Sequence, residues 1–427
     1  MNQLQLFLPC AAGVEGFLAD EVHRLTGLAG GDLLTGRGGV MLRASWRDAL
    51  QLNLHSRLAQ RVLVELSQTP YRGEQDLYEA ASAIAWEIWF TTKQTFKIEV
   101  TAQHSPLKSL NFAALKVKDA VADRFRHKSG ARPDVETRWP DIRIHVHLTT
   151  DTATIYIDTS GEPLFKRGWR EDKGDAPLKE TLAAAMIAAS GWDPRAAEPL
   201  PLYDPCCGSG TIAIEAAQQA CNIAAGSLRR FAFEKLLPFQ PHVWAALQQE
   251  AQARETPPSA PIFGSDVAHR MVDFAQRNAE RAGVARAIEF RGGDALQRLP
   301  PAPRGVMLLN PPYGERIAAA GVAGRRALDV AQQPREERQG EHRETAHTDD
   351  GGDFFPQLAA HWKRHYDGWT AWLLTPDLKL PSRMRLKESR RVPMWNGPIE
   401  CRLFRFDVVK GSARGAAAAP AAPAAPA

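Results

Sequence analysis

Apolar and polar positions along this chain fall into short runs whose period switches between two and about 3.6. Residues 4–8 alternate as a strand, 13–25 carry helical spacing, and 36–43 hold a Gly-Gly turn and a strand. Residues 46–54 predict a second helix and 59–66 a further strand. That βαββαβ-like succession suits a small ferredoxin-like α+β module. Residues 77–89 then predict a helix, 95–102 a strand, 111–125 a helix, and 142–148 with 152–158 a hairpin. By pattern alone, this second stretch is an α+β domain. From about residue 200, short apolar runs ending in Gly, Asp or Asn are followed by helical stretches such as 212–217 and 271–282. Strands that end this way describe a doubly wound, Rossmann-like α/β domain with ligands at the carboxyl ends of its strands.

Four strand ends carry candidate chemistry. Leu200 to Tyr203 leads into Asp204-Pro205-Cys206-Cys207-Gly208-Ser209-Gly210 and then a helix, a turn where backbone can approach a ligand closely. No Gly-Lys-Ser/Thr follows, so it is not a P-loop, and the third glycine of a dinucleotide fingerprint is missing. Asp204 would repel a pyrophosphate but suits a cationic ligand end. Asp266 closes the run 261–266, where a ribose diol is commonly held. Its separation from Gly210 far exceeds the usual ~20 residues, so an insertion of roughly 222–259 is expected between them. Asp294 follows the strand 288–292, placed to accept from an adenine amino group. The buried run 306–309 stops at Asn310-Pro311-Pro312-Tyr313. Two prolines stiffen that loop. The Asn310 side-chain oxygen and the Pro311 carbonyl can accept both N–H groups of an exocyclic amine, and Tyr313 offers a face for its ring.

This order of motifs resembles the class I S-adenosylmethionine-dependent methyltransferases that act on an exocyclic or amide nitrogen. Asp204 to Gly210 looks like their cofactor loop and Asn310 to Tyr313 like their amine-binding motif. Gly161 to Arg170, Ala176 to Ala185 and Phe233 to Phe239 are similar to THUMP-containing RNA methyltransferases, above all the bacterial RlmL type, which makes N2-methylguanosine in large-subunit rRNA. The resemblance implies a ferredoxin-like module over 1–66, a THUMP RNA-binding domain over 67–159, a linker over 160–178 and a methyltransferase domain over 179–410. It implies S-adenosylmethionine as cofactor, held by Pro177, Thr181, Asp204, Cys206, Gly208, Gly210, Asp266, Asp294 and Asn310. Asn310, Pro311, Pro312 and Tyr313 would place the amine. The implied partner is 23S rRNA or an assembling large subunit. Bifunctional members carry a second methyltransferase domain, for which this chain has no room after residue 410. A polar run over 325–352 is expected to be a disordered insertion, and the Ala/Pro-rich tail over 411–427 a disordered end.

Composition narrows the class without deciding it. With 44% hydrophobic and 24% charged residues the chain is globular in kind, and no apolar run reaches the ~18 residues of a membrane span. The N-terminus lacks the basic start and apolar core of a signal peptide. Cys10, Cys206, Cys207, Cys221 and Cys401 are scattered, odd in number and without Cys-x-x-Cys spacing, which points to reduced thiols in the cytoplasm and no metal site; a monomer is expected separately. His145 and His147 share one strand face, where a structural role is expected. A net charge of +4 does not itself imply nucleic acid. Basic residues nevertheless cluster at 116–128, at 383–391 and at Lys166, Arg167 and Arg170, each a candidate phosphate contact. The motifs leave open N6 of adenine in RNA, a DNA or protein nitrogen, and a non-catalytic RNA-binding assembly factor.

Overall fold

Strand β1 (Leu4–Pro9) buries Leu6 and Leu8 on one face and anchors the N-terminal half. The computed structural model describes residues 3–174, 177–311 and 354–409. After β1 come α1 (Glu15–Thr26), β2 (Leu33–Gly36), β3 (Gly39–Ala44), α2 (Trp46–His55) and β4 (Leu63–Pro70). Helix α2 starts at Ser45, whose hydroxyl accepts from the Asp48 N–H while Asp48 accepts from the Ser45 N–H, a reciprocal cap. Then follow α3 (Glu74–Ala83), β5 (Phe96–Ala102), α4 (Leu110–Ser129), β6 (Ile142–Leu148) and β7 (Thr152–Asp158). All seven strands form one sheet in the order β2-β3-β1-β4-β7-β6-β5. β4 pairs with β1 on one side and β7 on the other, so the sheet runs unbroken across residue 66.

Two expected elements shift. The strand expected over 59–66 lies at 63–70, because β4 continues through Ser67, Gln68 and Thr69 along β7 after an irregularity between Glu65 and Ser67. The helix expected over 77–89 ends at Ala83. Extended backbone at Ile84 breaks it, and a 3₁₀ turn buries Trp86 with its indole N–H on the Ala81 carbonyl at 2.8 Å. His145 lies 3.4 Å from Asp158 and 3.6 Å from Glu99, and His147 bonds Thr101 at 3.0 Å. Both histidines therefore sit in a half-exposed polar strip on β6.

The second half contains α5 (Glu180–Ser190), β8 (Leu202–Asp204), α6 (Thr211–Ala220), α7 (Pro241–Ala253), β9 (Ile262–Asp266), α8 (His269–Arg281), β10 (Ile288–Gly292) and β11 (Gly305–Leu309). It ends with α9 (Phe354–His365), β12 (Trp369–Thr375), α10 (Leu380–Met384), β13 (Arg390–Asn396) and β14 (Ile399–Asp407). The sheet order is β10-β9-β8-β11-β12-β14-β13, with β14 antiparallel to both its neighbours. The order reverses between β8 and β11, which places a crevice at the carboxyl ends of those strands. Helices α5 and α6 share a core with Leu202 and Leu308, whereas α9 packs with Tyr203, Met307 and Leu309 on the opposite face. The inserted 222–259 segment packs Phe231, Phe233, Phe239 and Trp244 ring to ring.

The halves are joined by buried ion pairs. Glu215 of α6 is fully buried between Arg57 at 3.1 Å and Arg167 at 2.9 Å. Arg229 donates to the carbonyls of Ser160, Glu162, Pro163 and Lys166. Arg167 and Arg170 are thus spent on internal partners and Lys166 pairs with Glu162, so the junction is not the phosphate patch its composition suggests.

Candidate functional site

Parallel register brings the strand-end residues together. Asp204 on β8 stands beside Gly264 on β9, and Asp266 follows two residues later. Asp266 in turn pairs with Gly292 on β10, with Asp294 two residues beyond. On the other side, Met307 pairs with Tyr203, so Asn310 lies two residues past the level of Asp204. At roughly 3.3 Å per residue, these groups climb around one crevice.

The glycine turn shapes its floor. Gly208 and Gly210 have φ of +52° and +88°, a region that favours glycine. A Cβ on Gly210 would press on Ala275 at 3.0 Å, whereas one on Gly208 would meet nothing within 4 Å. Gly210 is therefore needed for the close approach of the turn to α8, and Gly208 faces open space. Asp266 holds the turn by accepting the Gly208 N–H at 2.9 Å and the Ala268 N–H at 2.9 Å.

Electrostatics make the crevice hungry for a cation. Burial, then the neighbouring Asp266, pushes the Asp204 carboxyl well up from the usual carboxylate range. Burial also raises Asp266. The Cys206 thiol is pushed up by burial and then by the charges of Asp204, Asp266 and Asp294. Asn310 supplies the complementary group: its Oδ1 is buried with no hydrogen-bond partner among the described residues. A buried orphan acceptor costs about 1–3 kcal/mol, a cost that a ligand N–H would remove. Pro311 next to it is buried.

Other expected residues fare differently. Thr181, in the first turn of α5, is only 8% exposed and lines a small cleft toward the N-terminal module. Pro177 is exposed. Pro312, Tyr313 and the 325–352 run lie outside the described residues, as does the tail over 411–427. Arg170 was missed as a site-shaping residue. It donates to Glu180 at 2.8 Å, Ser209 at 2.7 Å and Thr211 at 2.7 Å, so one side chain ties the glycine turn to the start of α5. No local signal marks it, because its three partners lie 10, 39 and 41 residues away. A separate cavity of about 470 Å³, lined by Tyr203, Phe263, Ser265, Glu289, Arg291 and Arg298, contains none of the strand-end acids. Among the described residues no cluster of three or more His, Cys, Asp or Glu could hold a metal ion, and no helix is long and apolar enough to cross a membrane.

Comparison with known proteins follows the same divisions. Residues 5–63 match the RlmL ferredoxin-like domain, 71–158 the THUMP domain, and 167–327 the RMKL-like methyltransferase domain. The chain is 36% identical over 412 residues to the ribosomal RNA large subunit methyltransferase K/L of Psychromonas ingrahamii, covering 95% of this chain and 50% of that protein. It thus spans about half the length of that relative. Among solved structures, SMU.472 complexed with SAH superposes with a TM-score of 0.78 at 26% identity, over 97% of this chain and 100% of that one. A Listeria monocytogenes protein named as a predicted N6-adenine-specific DNA methylase gives 0.77 at 28% identity, over 95% and 96%. The chain carries, in this order, an RlmL ferredoxin-like domain, a THUMP domain and an RMKL-like methyltransferase domain.

Proposed function

We propose that this chain transfers a methyl group from S-adenosylmethionine to the exocyclic N2 of a guanosine in large-subunit (23S) rRNA. The observation that carries the reading is the buried, unpartnered Oδ1 of Asn310 at the end of β11, beside a crevice of three carboxylates. The residues fit the cofactor: Asp204 lies near the turn for a cationic end, Gly208 leaves backbone open to a ligand, and Asp266 and Asp294 offer acceptors at successive strand ends. SMU.472, solved with SAH, supports this fit. The name of the Psychromonas relative supports the RNA class.

When bound, S-adenosylmethionine supplies an electrophilic methyl group on a sulfonium. The chain's own residues do the positioning. Asn310 Oδ1 accepts one amine N–H and the Pro311 carbonyl the other, so the nitrogen is aimed by two fixed acceptors. Guanine N2 shares its lone pair with the ring and is a weak nucleophile. Acceptors on its hydrogens favour the positive charge that grows on nitrogen in the transition state. Pro312 and Tyr313 complete this loop in our reading, with Tyr313 under the base. The proton then leaves to water. Unstacking the base to reach the pocket costs a few kcal/mol, which the RNA contacts of the N-terminal half offset. In this division of labour, residues 1–159 hold RNA and 179–410 carry the chemistry, in a cytoplasmic monomer.

The test is transfer of labelled methyl to RNA lacking the modification, followed by nucleoside analysis by mass. N2-methylguanosine in large-subunit rRNA is expected. N6-methyladenosine would favour the second reading, which the name of the Listeria relative supports, since these acceptors suit any exocyclic amine. No transfer to any RNA overturns both.

A further inference from the structure

A cleft of about 220 Å³ opens where three parts of the chain meet: Cys10 and Gln60 of the N-terminal module, Lys179 and Thr181 at the start of α5, and Trp395 and Asn396 at the tip of the β13–β14 hairpin. Its walls are fixed. Gly13 adopts φ of +84°, and a Cβ there would lie 2.1 Å from the Pro393 carbonyl oxygen and 3.5 Å from the Trp395 ring. Backbone of the N-terminal module thus touches the hairpin directly. The tip also stands at the reacting edge of the sheet. Thr375, at the end of β12, pairs with Arg402, and the hairpin continues past that level to the Asn396–Ile399 pair. Asn310 follows β11, the other neighbour of β12, on the same carboxyl edge.

The lining is chemically specific. Trp395 is half-buried, and among the described residues no ring packs on it and nothing bonds its indole N–H. The Gln60 carboxamide, also half-buried, likewise makes no hydrogen bond among the described residues. Lys179 is exposed, with its ammonium 5.2 Å over the Phe165 ring, and is in no ion pair among the described residues. A flat aromatic wall, an amide able to both donate and accept, and a cation at the mouth match one unstacked nucleobase with its phosphate. The volume, below the ~300–1,000 Å³ of drug-sized sites, suits a single base.

We infer that this cleft holds an unpaired RNA nucleotide close to the one being methylated, its base on Trp395 and its phosphate toward Lys179. The inference rests on RNA being the substrate, as proposed above. It makes Trp395 and Lys179 positioning residues for the RNA, distinct from the amine acceptors.

The test uses the full chain and a large-subunit rRNA fragment, comparing Trp395→Ala, Trp395→Phe and Lys179→Gln with the unmodified protein. The readouts are RNA Kd, KM and kcat, cofactor affinity and thermal midpoint. Trp395→Ala is expected to raise Kd and KM about tenfold with cofactor affinity and midpoint held, and Trp395→Phe to recover most of the loss. Lys179→Gln is expected to lower the salt slope of binding by about one. Unchanged RNA binding in Trp395→Ala overturns the inference. So does equal damage in both Trp395 variants with a lowered midpoint, which marks the indole as a wall of the fold only. If the unmodified protein binds the fragment but methylates no RNA, the methyl-transfer reading fails while the Kd ratios still decide the cleft. If it binds no RNA, both fall.

Discussion

Single residues set the charge state of the crevice. Asp204 and Asp266 carry carboxyls raised by burial, so each binds its proton more tightly folded than unfolded. Their contribution to stability is therefore full at low pH, below the unfolded carboxylate range, and is lost as pH rises through the folded values. A cation placed beside them reverses the preference by favouring the ionised form. Cofactor affinity should accordingly rise with pH through this raised carboxylate range, and binding should release protons. Calorimetry at pH 5 and pH 7.5, in buffers of different ionisation heat, measures both. Affinity that falls with rising pH would contradict the assignment. These acids were legible in the sequence because each ends its own strand within a few consecutive residues. The protonation state of Asp204 was not, because it depends first on burial in the folded domain and then on Asp266 some sixty positions away.

At the level of elements, the glycine turn and α8 are one unit. Gly210 sits at φ +88° with α8 against its missing side chain. Gly210→Ala places a Cβ in a left-handed conformation, costing about 1–2 kcal/mol, and forces the turn off Ala275. We expect a lower thermal midpoint and weakened cofactor binding, both measurable by a thermal-shift titration. A variant with the original midpoint and affinity would show that the turn tolerates a side chain. Hydrophobic period located β8, β9, β10 and β11, because each is a short run that opens on or holds apolar residues and is followed by a turn signal. It did not locate β12, β13 and β14. The basic residues there, Arg390 and Arg391, lie on exposed strand positions, and Arg391 pairs with Glu388. Read by composition, they formed a charge cluster rather than a strand.

Across the whole molecule, the N-terminal half is fastened to the half that carries the strand-end crevice through Glu215. Burial alone would raise its carboxyl, but Arg167 and Arg57 hold it below the usual range. Its contribution is thus present above the carboxylate range and is lost as pH falls through the folded value. Glu215→Ala leaves two arginines facing a buried void, and removal of one partner from a buried pair typically costs about 3–5 kcal/mol. Denaturant melts should show that loss, and a change below 1 kcal/mol would mean the halves are held by apolar packing instead. No sequence spacing announces this joint, whose partners come from positions 57, 167 and 215. In the proposed function, such a frame carries RNA to a separate chemical centre at Asn310. The most direct test is Asn310→Ala assayed for single-turnover methyl transfer and for RNA and cofactor affinity in the same preparation. We predict a loss of transfer of about 10²-fold or more with RNA affinity little changed. Equal loss of transfer and RNA binding, or full transfer without the Asn310 side chain, would contradict it.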